Sequence, residues 1–225
     1  MNPIIEQIRG KLIVSCQAYV GEPLRHPETM AQMARAAELG GAAAIRCQGL
    51  ADIAAIKGRV EIPVIGLWKE GHDGVYITPT ARHAIACVNA GADVVAIDAT
   101  AALRPDGSTF EEQIAVVRAA CDTLIMADCA NIEDIRRGVA AGCDLVSTTL
   151  SHGTNAIDCG LADGPDLPLL EAAVAEFPGF PVVCEGRVHT PADAAAAIGA
   201  GAWAVVAGTA ITHPTSITSW FVAAL

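Results

Sequence analysis

The chain has 225 residues, enough for one sizeable domain and too few for two generous ones. Its formal net charge of -11 speaks against a nucleic-acid binder, which carries a basic stripe, so no nucleic-acid partner is expected. Apolar residues make up 52% and aromatics only 4%, so alanine, valine and isoleucine do most of the packing, as suits parallel strands buried on both faces.

The compartment follows from what the chain lacks. Met1–Gly10 carries Glu6 and Arg9 within a broken apolar pattern, not a signal-peptide core. No apolar run is long enough to span a bilayer, so no membrane partner is expected. Eight cysteines occur without a C-x-x-C pair, which predicts buried thiols of a reducing compartment instead of a disulfide framework. These features together predict a cytoplasmic protein.

In chain order, short apolar strands are predicted at Leu12–Cys16, Ala43–Cys47, Pro63–Trp68, Val94–Asp98, Thr123–Ala127, Leu145–Thr149, Pro181–Cys184 and Ala204–Ala207. Helical spacing runs between them through Pro27–Leu39, Thr80–Ala90, Phe110–Ala120, Ile132–Ala141, Pro168–Phe177 and Pro191–Gly199. Thr190-Pro191 and Thr78-Pro79 each read as an N-cap followed by proline at the first helical position. Leu39-Gly40-Gly41-Ala42, Ala90-Gly91-Ala92-Asp93, Ala141-Gly142-Cys143-Asp144 and Ala200-Gly201-Ala202-Trp203 form a weak repeat. In each, glycine can take the left-handed conformation that stops a helix and turns the chain into a strand. A doubly wound open sheet would place a glycine-rich phosphate loop after its first strand, but Cys16-Gln17-Ala18-Tyr19 stands there. Eight units and late glycines predict one closed (β/α)8 barrel, a TIM barrel, as a single α/β domain over residues 1–225.

In such a barrel the reactive face lies at the strand carboxyl ends. Polar residues ring those points: Gln17, Arg46 with Gln48, Lys69 with Glu70, Asp98 with Thr100, Asp128, Ser147 with Thr149, and Glu185 with Arg187. A lysine at the mouth of an apolar barrel loses hydration, which lowers its pKa and lets it act as a base or a Schiff-base amine. The competing reading pairs Lys69 with Asp98 or Glu185 for stability. Glu185 is read either as a proton relay or as a salt-bridge partner of Arg187 or Lys69. Asp98 and Asp128 occupy equivalent points on neighbouring strands, and hydrogen bonds to loops or sugar hydroxyls are preferred over a metal site. The six histidines form no compact ligand pair; His83 reads as structural, while His152 and His213 fall in loops near the reactive face.

The last two loops carry an anion argument. Barrels often bind phosphate with backbone amides after strands seven and eight. Gly186 and Arg187 follow the seventh strand, and Gly208 and Thr209 the eighth. Glycine lets the backbone approach an anion, and arginine adds a charge-assisted contact. Ordinary tight turns are the alternative.

Nearly the whole chain resembles the N-acylglucosamine-6-phosphate 2-epimerases, also called the N-acetylmannosamine-6-phosphate 2-epimerase family. The resemblance rests on Ile13-Val14-Ser15-Cys16-Gln17-Ala18, Ile45-Arg46, Pro63-Val64-Ile65-Gly66 with Lys69, and Val75-Tyr76-Ile77-Thr78-Pro79-Thr80. It continues through Ile97-Asp98-Ala99-Thr100, Arg104-Pro105-Asp106-Gly107, Met126-Ala127-Asp128, Glu185-Gly186-Arg187-Val188-His189-Thr190-Pro191 and Gly208-Thr209-Ala210-Ile211-Thr212. It implies a phosphate-binding barrel that interconverts N-acetylmannosamine 6-phosphate and N-acetylglucosamine 6-phosphate in amino-sugar and sialic acid breakdown, with no metal or organic cofactor. It further implies Lys69 as the catalytic lysine, Glu185 as its acidic partner, contacts to the sugar from Gln17, Arg46 and Asp128, and a homodimer. The chain departs from the family at Glu70-Gly71-His72, where Arg-Asp-Tyr is common, and at His213-Pro214, where an arginine usually precedes the proline. Two other functions fit the same residues: a Schiff-base aldolase or lyase, and a non-catalytic sugar-phosphate-binding protein.

Overall fold

Short runs of small and β-branched residues form the eight parallel strands of a computed structural model that describes residues 2–151 and 164–225. They are β1 Leu12–Cys16, β2 Ala44–Gln48, β3 Val64–Leu67, β4 Val94–Asp98, β5 Leu124–Asp128, β6 Leu145–Ser147, β7 Val182–Glu185 and β8 Ala204–Ala207. Each strand pairs with the next and β8 pairs with β1, so the sheet closes into a barrel.

The helices are α1 Pro3–Ile8, α2 Pro27–Leu39, α3 Leu50–Lys57, α4 Ala81–Asn89, α5 Phe110–Ala120, α6 Ile132–Ala140, α7 Leu167–Glu176, α8 Pro191–Gly199, α9 Thr209–Thr212 and α10 Pro214–Ala223. Reciprocal side-chain caps start α5 (Thr109 with Glu112) and α8 (Thr190 with Asp193). The amino end of the barrel is covered by α1, whose Ile5 carbonyl accepts a 2.8 Å hydrogen bond from Trp203 Nε1.

The two-residue alternation of the strands divides the core in two. Val14, Ile45, Val64, Val95, Ile125, Val146, Val182 and Val205 pack outward against the helices. Ile13, Ala44, Ile65, Val94, Met126, Leu145, Val183 and Ala204 fill the barrel interior. Two residues further along each interior row stand Ser15, Arg46, Leu67, Ala96, Asp128, Ser147, Glu185 and Val206. The row therefore turns from apolar at the amino end to largely polar at the carboxyl end, which is where a site can form.

Several expectations need adjustment. β2, β5 and β7 each run one residue further than predicted and so bring Gln48, Asp128 and Glu185 into the ladder. β3 and β6 are shorter, ending at Leu67 and Ser147. Thr78-Pro79 does not start a helix: α4 begins at Ala81 with Thr80 as its N-cap, and Thr78 sits at φ 50. Its side chain and backbone are committed to Trp68 instead. α3 escapes the periodicity reading because Asp52 and Lys57 are its only polar residues, leaving no polar face to alternate with. The four glycine stops hold, with Gly41, Gly91, Gly142 and Gly201 at φ 97, 110, 79 and 98. Cys16, Cys47, Cys87, Cys129, Cys143 and Cys184 are buried and free and Cys121 is partly exposed, while Cys159 lies outside the described residues.

Candidate active site

The carboxyl ends of the strands surround a pocket of about 820 Å³, its mouth included. Gln17, Arg46, Lys69, Glu185, Gly186, Arg187, Gly208 and Thr209 all line it. Asp128 lies beneath, fully buried, and Asp98 is not among the lining residues.

The floor is an ion-paired network. Arg46 reaches inward from β2 and makes a bidentate pair with Asp128 of β5, Nη1 to Oδ1 at 3.1 Å and Nη2 to Oδ2 at 2.5 Å. Its Nε lies 3.2 Å from Glu185 Oε1, close enough for an ion pair but not aligned as a hydrogen bond. Burial opposes the guanidinium's charge, yet the carboxylates of Asp128 and Glu185 outweigh it and raise the Arg46 pKa. Thr149 Oγ1 lies 3.1 Å from Asp128 Oδ1 and 3.0 Å from Glu185 Oε2, its single proton shared between the two carboxyl groups, and Ser147 Oγ donates to Asp128 Oδ1 at 3.0 Å. Asp128 is thus occupied in holding Arg46 and the two hydroxyls.

Glu185 pairs with neither Arg187 nor Lys69, contrary to its salt-bridge reading; Arg46 is its ionic neighbour. Burial raises its pKa above the usual carboxylate range, Arg46 opposes that shift and the Asp128 carboxylate reinforces it. The carboxyl therefore holds a proton more readily than one in water.

Lys69 makes no hydrogen bond or ion pair among the described residues, so the pairing with Asp98 or Glu185 is absent. Its Nζ lies 5.5 Å from the centre of the Tyr19 ring. Burial, reinforced by the positive charge of Arg46 and only partly offset by Glu185 and Asp128, lowers its pKa from 10.5 to about 8. Just past β3, the lysine is held by an isolated antiparallel bridge to Ile77 and by the neighbouring bond from Glu70 N to Tyr76 O at 3.1 Å.

On the β7 and β8 side, five lining residues, Gly186, Arg187, Val188, Gly208 and Thr209, have amides that donate to no protein acceptor among the described residues. Gly186 and Arg187 take φ 104 and 55, a turn that glycine enters without strain. A side chain at Gly208 would bring its Cβ within 3.1 Å of Ser15 Cβ, so glycine suits the close approach there. Such unpaired amides form a ready anion cradle. The Arg187 guanidinium also lines the pocket, where Nε bonds the Gly164 carbonyl at 2.9 Å and Nη1 the Ser151 carbonyl at 3.0 Å, which ties the loops after β6 and β7 together. Gln17 donates to Ser15 Oγ at 3.0 Å, and its buried Oε1 has no partner among the described residues.

Some readings shift with these contacts. Asp98 Oδ1 accepts from the Thr100 amide and hydroxyl at 2.8 and 2.6 Å, so it shapes its own loop and does not reach the pocket. No cluster of potential metal ligands exists among the described residues. His83 is structural, its ring set between Thr80 Oγ1 at 2.7 Å and Glu70 Oε2 at 2.9 Å. His213 lines the pocket but caps α10, accepting from Ser216 N at 3.3 Å, and its Nε2 lies 3.3 Å from Glu22. His152 lies outside the described residues.

Sequence reasoning missed Tyr19, Tyr76 and His189 as lining residues. Continuing the alternating row past β1, from Ser15 to Gln17 to Tyr19, would have found the first. Tyr76 belongs to the loop that folds back on Lys69, and His189 packs on Trp220 of α10 with ring centres 4.8 Å apart; neither contact leaves a local signal.

Residues 30–225 match the family described as "Putative N-acetylmannosamine-6-phosphate epimerase". A relative from Cutibacterium acnes, named "Putative N-acetylmannosamine-6-phosphate 2-epimerase", is 55% identical over 219 residues, covering 97% of this chain and 95% of the relative. One of the same name from Caldanaerobacter subterraneus subsp. tengcongensis is 47% identical over 222 residues, covering 97% and 92%. Among solved structures, the N-acetylmannosamine-6-phosphate 2-epimerase from Clostridium perfringens superposes with a TM-score of 0.90 at 36% identity, covering 100% of this chain and 97% of that one. With the whole barrel shared and the match running over most of its length, this chain belongs to the N-acetylmannosamine-6-phosphate epimerase family.

Proposed function

We propose that the protein interconverts N-acetylmannosamine 6-phosphate and N-acetylglucosamine 6-phosphate by moving a proton at carbon 2, with Lys69 as base and Glu185 as acid. The observation that carries this reading is the arrangement of those two groups. Lys69 follows β3 and Glu185 ends β7, strands four apart in a ring of eight, and both side chains line the pocket. Epimerisation requires that a proton leave one face of a carbon and arrive at the other.

Carbon 2 of the open-chain sugar is adjacent to the C1 aldehyde, so its proton is acidic enough to leave when the resulting enolate is stabilised. Neutral Lys69 takes that proton, and the C–H electrons pass to the C1 oxygen. The new ammonium and Arg46 stabilise the oxyanion at short range in a pocket that excludes much of the solvent. Glu185, whose raised pKa favours the protonated form, returns a proton to the opposite face. Solvent exchange then resets both groups. The amides of Gly186, Arg187, Gly208 and Thr209 hold the phosphate, and Gln17 and Arg46 with Asp128 fix the sugar end, which turns reaction at carbon 2 into a positioned event. This reading needs no metal or organic cofactor. It places the enzyme in cytoplasmic amino-sugar and sialic acid breakdown, acting as a homodimer without nucleic-acid or membrane partners.

The test is proton NMR of N-acetylmannosamine 6-phosphate in deuterated buffer with the protein. The expected result is appearance of the second epimer together with deuterium at carbon 2, both abolished in Lys69→Ala. Cleavage of the sugar would favour an aldolase, and binding without exchange would favour a sensor.

A further inference from the structure

We infer that the buried Arg104–Gln113 pair is a positioning device for Lys69, acting through Thr78. The inference rests on Lys69 being the base.

Gln113 lies on the inward face of α5 beside Phe110, Ile114 and Val117, and is 1% exposed. An amide in a row of apolar residues costs stability unless every polar atom finds a partner. Gln113 Oε1 accepts from Arg104 Nε at 3.0 Å, and its Nε2 donates to the Thr78 carbonyl at 2.8 Å. Arginine has only donors, so Arg104 dictates which end of the amide faces Thr78. Arg104 is itself fixed by the carbonyls of Thr100 at 2.9 Å, Ala102 at 2.7 Å and Asp98.

Thr78 is fully buried at φ 50, a left-handed conformation that is costly for a β-branched residue and persists only where its surroundings enforce it. All its polar groups are used. The carbonyl takes Gln113, the amide donates to Trp68 O at 2.8 Å, and the hydroxyl accepts from Trp68 N at 3.2 Å. Both backbone groups of the residue preceding Lys69 are therefore clamped. The next step of the same antiparallel pairing is the Lys69–Ile77 bridge. The β3–β4 ladder pairs only Ile65 and Gly66, so it ends before the lysine is reached. Beyond that point the clamp sets where the amine stands.

The test compares Gln113→Met and Thr78→Gly with the parent protein by circular dichroism, melting temperature and the pH dependence of kcat and KM. Methionine fills the space of glutamine but leaves Thr78 O and Arg104 Nε unpaired. Glycine relieves the left-handed strain and removes the hydroxyl. The expected result for Gln113→Met is a folded protein with kcat reduced roughly 10- to 100-fold, because small misplacements of a reacting group cost that much. KM should change less than about twofold, since the phosphate loops lie across the barrel. The rising limb of kcat with pH should move upward as the amine gains water. Thr78→Gly should lose kcat similarly without a lower melting temperature.

Folded variants with kcat within about twofold of the parent overturn the inference. So does a loss of kcat matched by a proportional rise in KM with the pH limb unmoved, which indicates general loosening. If Gln113→Met does not fold, Thr78→Gly decides; failure of both to fold assigns the pair to stability alone and also overturns it. The epimerase reading fails separately: it falls if the parent protein catalyses no exchange at carbon 2, or if Lys69→Ala retains it.

Discussion

An ammonium group removed from water is a burden on the fold and an asset to catalysis. Lys69 shows both sides. Its pKa falls from 10.5 to about 8, chiefly through burial. Below pH 8 the folded protein must bury the charged form. Between about 8 and 10.5 the unfolded chain binds the extra proton, so this contribution to stability rises with pH through that window. Lys69→Met should therefore be inactive yet more stable than the parent at pH 6 to 7, by about 1 to 3 kcal/mol. The gain should fade toward pH 10.5 in denaturant titrations at several pH values. A mutant less stable than the parent at every pH would show that the lysine is not strained there. The sequence made Lys69, Glu185, Arg46 and Gln17 legible because each terminates or follows an apolar run. It could not separate Asp98 from Asp128. The two are partners in the β4–β5 register, and only the hydrogen bonds to Thr100 on one side and to Arg46 on the other tell them apart.

The helix-to-strand glycines show what a single element can and cannot reveal. Their spacing announced the barrel, because a left-handed stop is a local property of the chain. Their tolerance to change depends on packing that no local pattern contains. Gly142 has open space where a Cβ would go, so Gly142→Ala should cost only the left-handed penalty of about 1 kcal/mol. At Gly201 the same Cβ would stand 2.9 Å from Val174 Cγ1, so Gly201→Ala should cost roughly 2 kcal/mol or more. Gly138 is a sharper case. Inside α6, alanine has the better helix propensity by about 1 kcal/mol. Its Cβ would lie 2.8 Å from Ala127 Cβ, however, so the helix would have to lift from the barrel and Gly138→Ala should destabilise. Urea midpoints of the three variants check the order, and a stabilised Gly138→Ala would contradict it. The same limit explains the false helix start at Thr78-Pro79. The dipeptide has the right local chemistry, but Thr78 is claimed by Trp68 and Gln113 from distant parts of the chain.

At the scale of the whole molecule, an acidic protein of net charge -11 is read as drawing an anionic sugar into its own field. The closed barrel makes this workable by separating tasks. In the proposed reading, the amides after β7 and β8 that meet no acceptor among the described residues take the anion without buried countercharge, and the Arg46 cation is neutralised from below by Asp128. Eight strands and their order were legible because alternation and glycine stops repeat along the chain. The clamp behind Lys69, the tying of two loops by Arg187 and the capping role of His213 were not, since each joins residues whose neighbourhood exists only after folding. Three lysines in the chain, Lys11, Lys57 and Lys69, make the decisive titration simple. With carbon-13 at the lysine ε position, the three NMR resonances can be followed against pH and Lys69 assigned by its loss in Lys69→Met. The expected result is a Lys69 resonance that titrates at about 8. A Lys69 resonance that keeps its proton to pH 10.5 would contradict the proposed base.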